Sequence, residues 1–212
     1  SQDSVGGIKE GLGCLSWVGA ALIVVALILK FVWFDLASMG HNGMAPTLLR
    51  GERVLIHKRG TPSLGAIAVC QHPTEEGFVV GRVAATEGMK IASHGSELRL
   101  DGEPVGFNRE GTSSFHNLDT NRTHSLAWGQ EQLGSHPHRI FIREDGRHFV
   151  DKTEVPDGKV FLLGDFRAYM GQDSRAYGLV DASTCRGTIV FRVTPEDGLP
   201  PELAHGYFQP VR

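Results

Sequence analysis

Residues 155–180 read VPDGKVFLLGDFRAYMGQDSRAYGLV. Pro156-Asp157-Gly158 punctuates the chain, Val160–Leu163 is a short apolar run, and Gly164-Asp165 ends it, so the stretch reads as turn, buried strand, turn. The same grammar recurs outward in both directions. Arg53–His57, Ala66–Gln71, Phe78–Ala84 and Gly187–Val193 are short Val- and Ile-rich runs bounded by glycine, proline or polar residues, and each predicts a strand. Glu97–Leu100 and Pro104–Phe107 flank Asp101-Gly102, a strong short hairpin signal. A second hairpin is expected where Arg139–Arg143 and His148–Val150 straddle Glu144-Asp145-Gly146-Arg147. Between the hairpins, residues 108–138 are rich in Ser, Thr, Asn and His with no sustained period, and they predict a long irregular insertion. Four prolines from residue 195 onward predict that the tail, 194–212, wanders over the surface. No repeat and no long amphipathic helix is visible in this part of the chain. The fold class read here is mainly β, with antiparallel strands.

Composition narrows the function classes. The 212 residues are 41% hydrophobic and 21% charged, enough apolar content for a real core, and 27 glycines exceed the usual share of about 7%, which favours many turns. Net charge is −3, so there is no basic field to hold a nucleic acid. Cys14, Cys70 and Cys185 are too few and too scattered for a disulfide framework or a zinc-ligand spacing. No metal site and no cofactor is expected.

The amino-terminal segment has a different character. Leu12–Phe34 reads LGCLSWVGAALIVVALILKFVWF, with Lys30 as its only charge. As a helix such a run reaches roughly 35 Å, enough to span a bilayer core of about 30 Å. It is too long for a signal-peptide core, lacks a basic start and has no small-residue cleavage site after it. Residues 12–36 are therefore expected to form an uncleaved transmembrane helix behind a short flank, 1–11. Positive charges cluster on the far side, at Lys30, Arg50, Arg53, Lys58 and Arg59, and flank counting alone would put the β domain, 37–193, in the cytoplasm.

Three blocks follow the apolar segment in order: Asn42-Gly43-Met44-Ala45-Pro46-Thr47-Leu48; Val80-Gly81-Arg82-Val83-Ala84; and Gly164-Asp165-Phe166-Arg167 with Asp173-Ser174-Arg175 and Gly178. Together they resemble type I signal peptidases, the leader peptidases, over most of the chain from the anchor to about Val193. The resemblance implies a signal-peptidase-like antiparallel β ectodomain with one N-terminal transmembrane helix, placed on the extracytoplasmic side of an inner membrane, opposite to the flank-charge count. In an oxidising compartment Cys70 and Cys185 could pair if their strands are adjacent.

The family cleaves by acyl transfer, with a serine nucleophile and a neutral lysine as base. The serine precedes the Met of the first block, where this chain has Gly43. The lysine precedes the Arg of the second, where this chain has Gly81. A supporting Asp-Asn-Ser is replaced by Ala168-Tyr169-Met170-Gly171-Gln172, with one extra residue before Asp173. The resemblance thus implies a frame without its dyad. Thr47, Gly164, Asp165, Arg167, Asp173, Ser174, Arg175 and Gly178 read as structural, with Asp173–Arg175 paired and Asp165 and Arg167 fixing the turn beneath the site. Gly43, Met44, Pro46, Val80, Gly81 and Arg82 are candidates for a surviving groove that takes an extended peptide as an added strand. The expected function is an inactive, membrane-anchored subunit that binds a peptide or other membrane-protein subunits. The alternative is an active signal-peptide endopeptidase with a displaced nucleophile such as Ser38; Lys58 and Lys90 read as solvated, and His136-Pro137-His138 as an extended surface segment.

Overall fold

The computed structural model describes residues 17–28, 32–94, 97–145 and 149–211. Residues 17–28 are helical and largely exposed (α1). Among the described residues no helix is long and apolar enough to cross a membrane. The flank 1–11, residues 12–16 and residues 29–31 of the expected span lie outside the described residues. At its far end the expectation is corrected. Phe34–Ser38 is a strand, β1, so the backbone of residues 34–36 is committed to a sheet ladder instead of a helix.

The rest of the chain is mainly β, as its alternation of short runs and turns implies. Fourteen further strands follow: β2 (Arg53–His57), β3 (Ile67–Gln71), β4 (Phe78–Thr86), β5 (Lys90–His94), β6 (Glu97–Leu100), β7 (Glu103–Pro104), β8 (Phe107–Asn117), β9 (Arg122–Leu133), β10 (His136–Arg143), β11 (Thr153–Glu154), β12 (Lys159–Leu163), β13 (Val180–Asp181), β14 (Cys185–Thr194) and β15 (Gln209–Pro210). The largest sheet has the order β1-β2-β14-β3-β4-β12-β13, with β15 added on β14; β10-β9-β8 form a second sheet and β11-β5-β6-β7 a third. One helical turn, α2 (Ser174–Tyr177), is capped by Asp173, whose carboxylate accepts from the Arg175 amide, and it ends at Gly178 with φ 83°.

The Asp101-Gly102 hairpin is present, pairing Arg99 with Pro104 and Leu100 with Glu103. Both turn residues have positive φ, 52° and 90°, as a type I′ turn requires. The second expected hairpin is not formed as read. β10 pairs with β9 over its whole length, and Val150 bonds Ser93 instead; Gly146 and Arg147 of the expected turn, and His148 of the expected second strand, lie outside the described residues.

The expected irregular insertion is the largest correction. Residues 107–143 form the three-stranded sheet, and its strands of 11, 12 and 8 residues are among the longest in the chain. Its buried faces are partly polar, with Ser113, Asn117, Glu131 and His138 inside alongside Phe115, Leu126 and Phe141, which hides the apolar alternation. The tail also folds back. Leu203 is fully buried, and Gln209-Pro210 pairs with Phe191-Arg192 as an edge strand, a position that tolerates proline. A parallel bridge between Phe141 and Phe166 joins the second sheet to the turn after β12. Around that junction Phe115, Phe141 and Phe166 pack edge to face and tilted at 5.3–5.9 Å between ring centroids.

Candidate functional site

The loop from Met39 to Glu52 carries the first block. It is closed by backbone bonds from Met39 to Glu52 and from Gly51 back to Met39. Asn42 fixes it to the second sheet: its amide donates to Asp119 at 2.6 Å, its side chain donates to Asn117 at 3.2 Å, and its carbonyl oxygen accepts from the Arg50 amide. Gly43 follows. Its carbonyl accepts from Phe166 N at 3.1 Å, and a Cβ on Gly164 would stand 2.4 Å from that carbonyl oxygen. Gly164 is therefore glycine because two backbones touch there.

Gly81 lies in β4, opposite Ala68 of β3. The two glycines face neighbouring parts of the chain: Gly43 meets Gly164 and Phe166, just after β12, and Gly81 meets Leu162 and Leu163, at the end of β12. At neither glycine is there free room for a Cβ. A Cβ on Gly43 would fall 2.8 Å from His41 Nδ1 and 3.0 Å from Gln172 Cβ. The His41 ring is held there because its Nδ1 accepts from the Gly43 amide at 3.0 Å. Burial lowers the pKa of His41, opposed by the nearby Asp119 charge. A Cβ on Gly81 would fall 2.9 Å from Leu162 Cβ, a contact no side-chain rotation removes.

Five of the six residues expected to line a groove are buried; Val80 alone is half-buried. Met44 is fully inside a core cluster with Val54, Ile56 and Ile189. Pro46 is buried and its carbonyl is bonded to His205. Arg82 is buried and bidentate to Asp165, at 2.9 and 2.7 Å, with a third bond to the Gly65 carbonyl at 2.8 Å.

The frame beneath is an array of buried ion pairs. Asp165 takes Arg82 and the Thr47 hydroxyl, while Arg167 binds Glu131 of β9 and its own turn at the Gly164 carbonyl, so Asp165 and Arg167 each have a different partner. Burial alone would raise the Asp165 pKa, but Arg82, His138 and the Thr47 hydroxyl together outweigh it and hold the carboxyl below its ordinary value. Burial is likewise outweighed at Glu131, where Arg167 and His138 bring the carboxyl down to about 2. Asp173 and Arg175 pair at 2.6 Å; Asp173 also accepts from Gly164 N, and Arg175 donates to the Arg167 carbonyl at 2.8 Å. The Ser174 hydroxyl accepts from Leu162 N at 2.9 Å.

Ser38 stands at the exposed end of β1, where its hydroxyl donates to the Gly51 carbonyl at 3.0 Å. Lys90 is exposed and 3.6 Å from Glu154. His138 corrects the expectation of a surface segment: its side chain is buried, with Nε2 3.2 Å from Glu131 and 3.8 Å from Asp165. His41, Glu131, Leu162 and Gln172 are the site residues that sequence reasoning missed. A histidine two positions before the nucleophile position is the one signal that pointed towards them.

The sequence profile described as "Signal peptidase, peptidase S26" matches residues 13–194. The chain belongs to that family. It is 26% identical over 201 residues to the probable signal peptidase I-1 of Synechocystis, covering 89% of this chain and 83% of the relative. It is 28% identical over 196 residues to signal peptidase IB of Staphylococcus aureus, covering 88% and 91%. Cys70 and Cys185 lie opposite each other on β3 and β14 and form a disulfide.

Proposed function

We propose that this family member is catalytically inactive and serves as a structural or protein-binding subunit of a membrane complex, anchored through its amino-terminal apolar segment with its β domain outside the cytoplasm. The observation that carries the reading is that the space at both dyad positions is filled. His41 and Gln172 stand where a side chain at residue 43 would begin, and Leu162 where one at residue 81 would begin. Losing the nucleophile of a serine protease costs roughly a millionfold in turnover, and here the vacated volume has been taken over by neighbours. The disulfide fits an oxidising compartment.

Support for a retained peptide-binding role comes from the sheet edge. β12 pairs with β4 only from Arg82 to Thr86, so among the described residues 78–81 are laddered to β3 alone. A cavity of about 400 Å³ borders this edge, between Phe78-Val79 and Gln172-Tyr177. An extended segment of a partner can add there as a strand while the filled dyad positions keep it from being cut.

The test is incubation of the full chain, in detergent, with a pre-protein. No shortened product is expected. Cleavage that disappears in Ser38→Ala would overturn the proposal in favour of a displaced nucleophile. Co-purification from native membranes should return a stable partner; recovery of the chain alone would remove the subunit role.

A further inference from the structure

A second cavity, of about 350 Å³, lies away from the dyad positions. Its walls are Pro46-Thr47, residues 137–139 of β10, and the returning tail with His205 and residues 209–211. Of the six residues expected to form a groove, only Pro46 borders it. Among the described residues no carboxylate lines it. The lining contributes Arg139, Arg192, His138, His205, Gln130 and Gln209, a set rich in donors and positive charge.

These groups are unequally committed. Arg192 is fully engaged, donating to Glu52 at 3.0 Å, to Gln209 at 3.4 Å and to the Thr47 carbonyl. Arg139 is not. Its side chain is 42% exposed, its guanidinium lies 5.7 Å from the centre of the Trp128 ring, and its nearest carboxylate, Glu110, is 4.0 Å away. That distance is a weak ion pair at best, so most of its N–H fork is unspent. His138 is buried, and neither ring nitrogen makes a well-aligned hydrogen bond; the carboxylates near it, Glu131 and Asp165, are engaged by Arg167 and Arg82. His205 reports the local field: burial first, then the charges of Arg192 and Arg139, bring it down to about 4, so the ring is neutral at physiological pH.

We propose that this cavity binds a small oxyanion, a phosphate or a peptide's terminal carboxylate, with Arg139 as its principal ligand and the polar groups of Gln130 and Gln209 completing the contacts. A cation would meet two guanidinium groups. An apolar ligand would leave the same donors unsatisfied. An anion answers both, and the planar fork of Arg139 matches paired oxygens.

Trp128, under Arg139, supplies the readout. In the full chain carrying Trp17→Phe and Trp33→Phe, titration with inorganic phosphate should change the Trp128 emission saturably, and chloride at matched ionic strength should not. Arg139→Gln should weaken the response by about tenfold or more, the loss of a charge-assisted bidentate contact. A short peptide with a free carboxyl terminus should compete with phosphate if carboxylates share the site, and its amidated form should not; competition by neither assigns the site to phosphate. Where Arg139→Gln does not fold, hydrogen exchange on the unmodified chain decides: phosphate should slow residues 204–211 and chloride should leave them unchanged. A linear response, an equal response to chloride, or an unchanged affinity in folded Arg139→Gln overturns the proposal.

Discussion

Gly43 and Gly81 are separated from Asp165 by a few residues of packing, yet the two places differ in kind. At the glycines there is no side chain, and His41, Gln172 and Leu162 crowd the place a Cβ would take. At Asp165 a buried carboxylate keeps three hydrogen bonds, two from Arg82 and one from Thr47. An uncharged vacancy closes by repacking, because neighbouring side chains gain contacts by moving in. A buried ion pair has no such route. Removing one member strands the other in a low-dielectric interior, so the pair persists whether or not chemistry is done above it. The frame thus records what the fold needs, and the glycines record what the proposed function can do without.

The sharpest way to break this contrast is to attack the frame. Asp165→Asn leaves Arg82 facing a neutral amide, and it should cost about 3–5 kcal/mol in denaturant unfolding. Replacing Arg82 and Asp165 together with apolar residues should cost less than the single change, and a larger loss in the double variant would show that the pair acts through something other than mutual charge.

Acid titration probes the same region without mutation. Glu131 is held at about 2 in the fold against an ordinary 4.5, so the unfolded chain binds more protons between those values. Its contribution, on the order of 3 kcal/mol, is complete above about pH 4.5 and drains as the pH falls towards 2. Asp165, also lowered, acts in the same sense. His205, lowered from 6.5 to about 4, adds a further loss as the pH falls across that interval, because the unfolded ring takes up a proton the folded one refuses. Glu52, raised by burial, opposes them: its contribution is present in acid and lost as the pH rises through its folded value. A Tm that falls steadily from pH 6.5 to 3 is expected, and a flat profile would contradict the buried charges.

The glycine side of the contrast should respond less. Gly81→Ala presses a Cβ to 2.9 Å from Leu162 Cβ and should cost about 1–3 kcal/mol, and Leu162→Ala, which keeps that Cβ, should not relieve it. Gly43→Ala should cost least, about 1 kcal/mol, because the His41 ring can swing aside at the loss of one hydrogen bond. Equal costs at the two positions would mean that His41 is as fixed as a backbone. Gly43→Ser with Gly81→Lys should remain inactive while Leu162 is unchanged.

Much of this was legible in advance where backbone conformation or an apolar run marks the chain. The Asp101-Gly102 turn announces itself because few other residue pairs accept positive φ twice. β2 and β6 have the bounds their Val, Ile and Leu content suggests. β8 and β9 escaped notice because the second sheet buries Ser113, Asn117 and Glu131, and a polar residue on an inner face erases the alternation that identifies a strand. The tail's prolines concealed an edge strand for a similar reason. At the site, the glycines at positions 43 and 81 were readable from the sequence. What crowds them was not, because packing around a vacancy depends on residues such as Gln172 and Leu162 that carry no motif.

The Cys70–Cys185 link, spanning 115 positions, closes the intervening chain into a covalent ring. Gly81, the Asp165 and Asp173 pairs and the whole second sheet lie within that macrocycle; Gly43 and the returning tail lie outside it. A single nick anywhere inside leaves both fragments tethered until a reductant opens the loop, whereas a cut beyond Cys185 releases the cavity's outer wall at once.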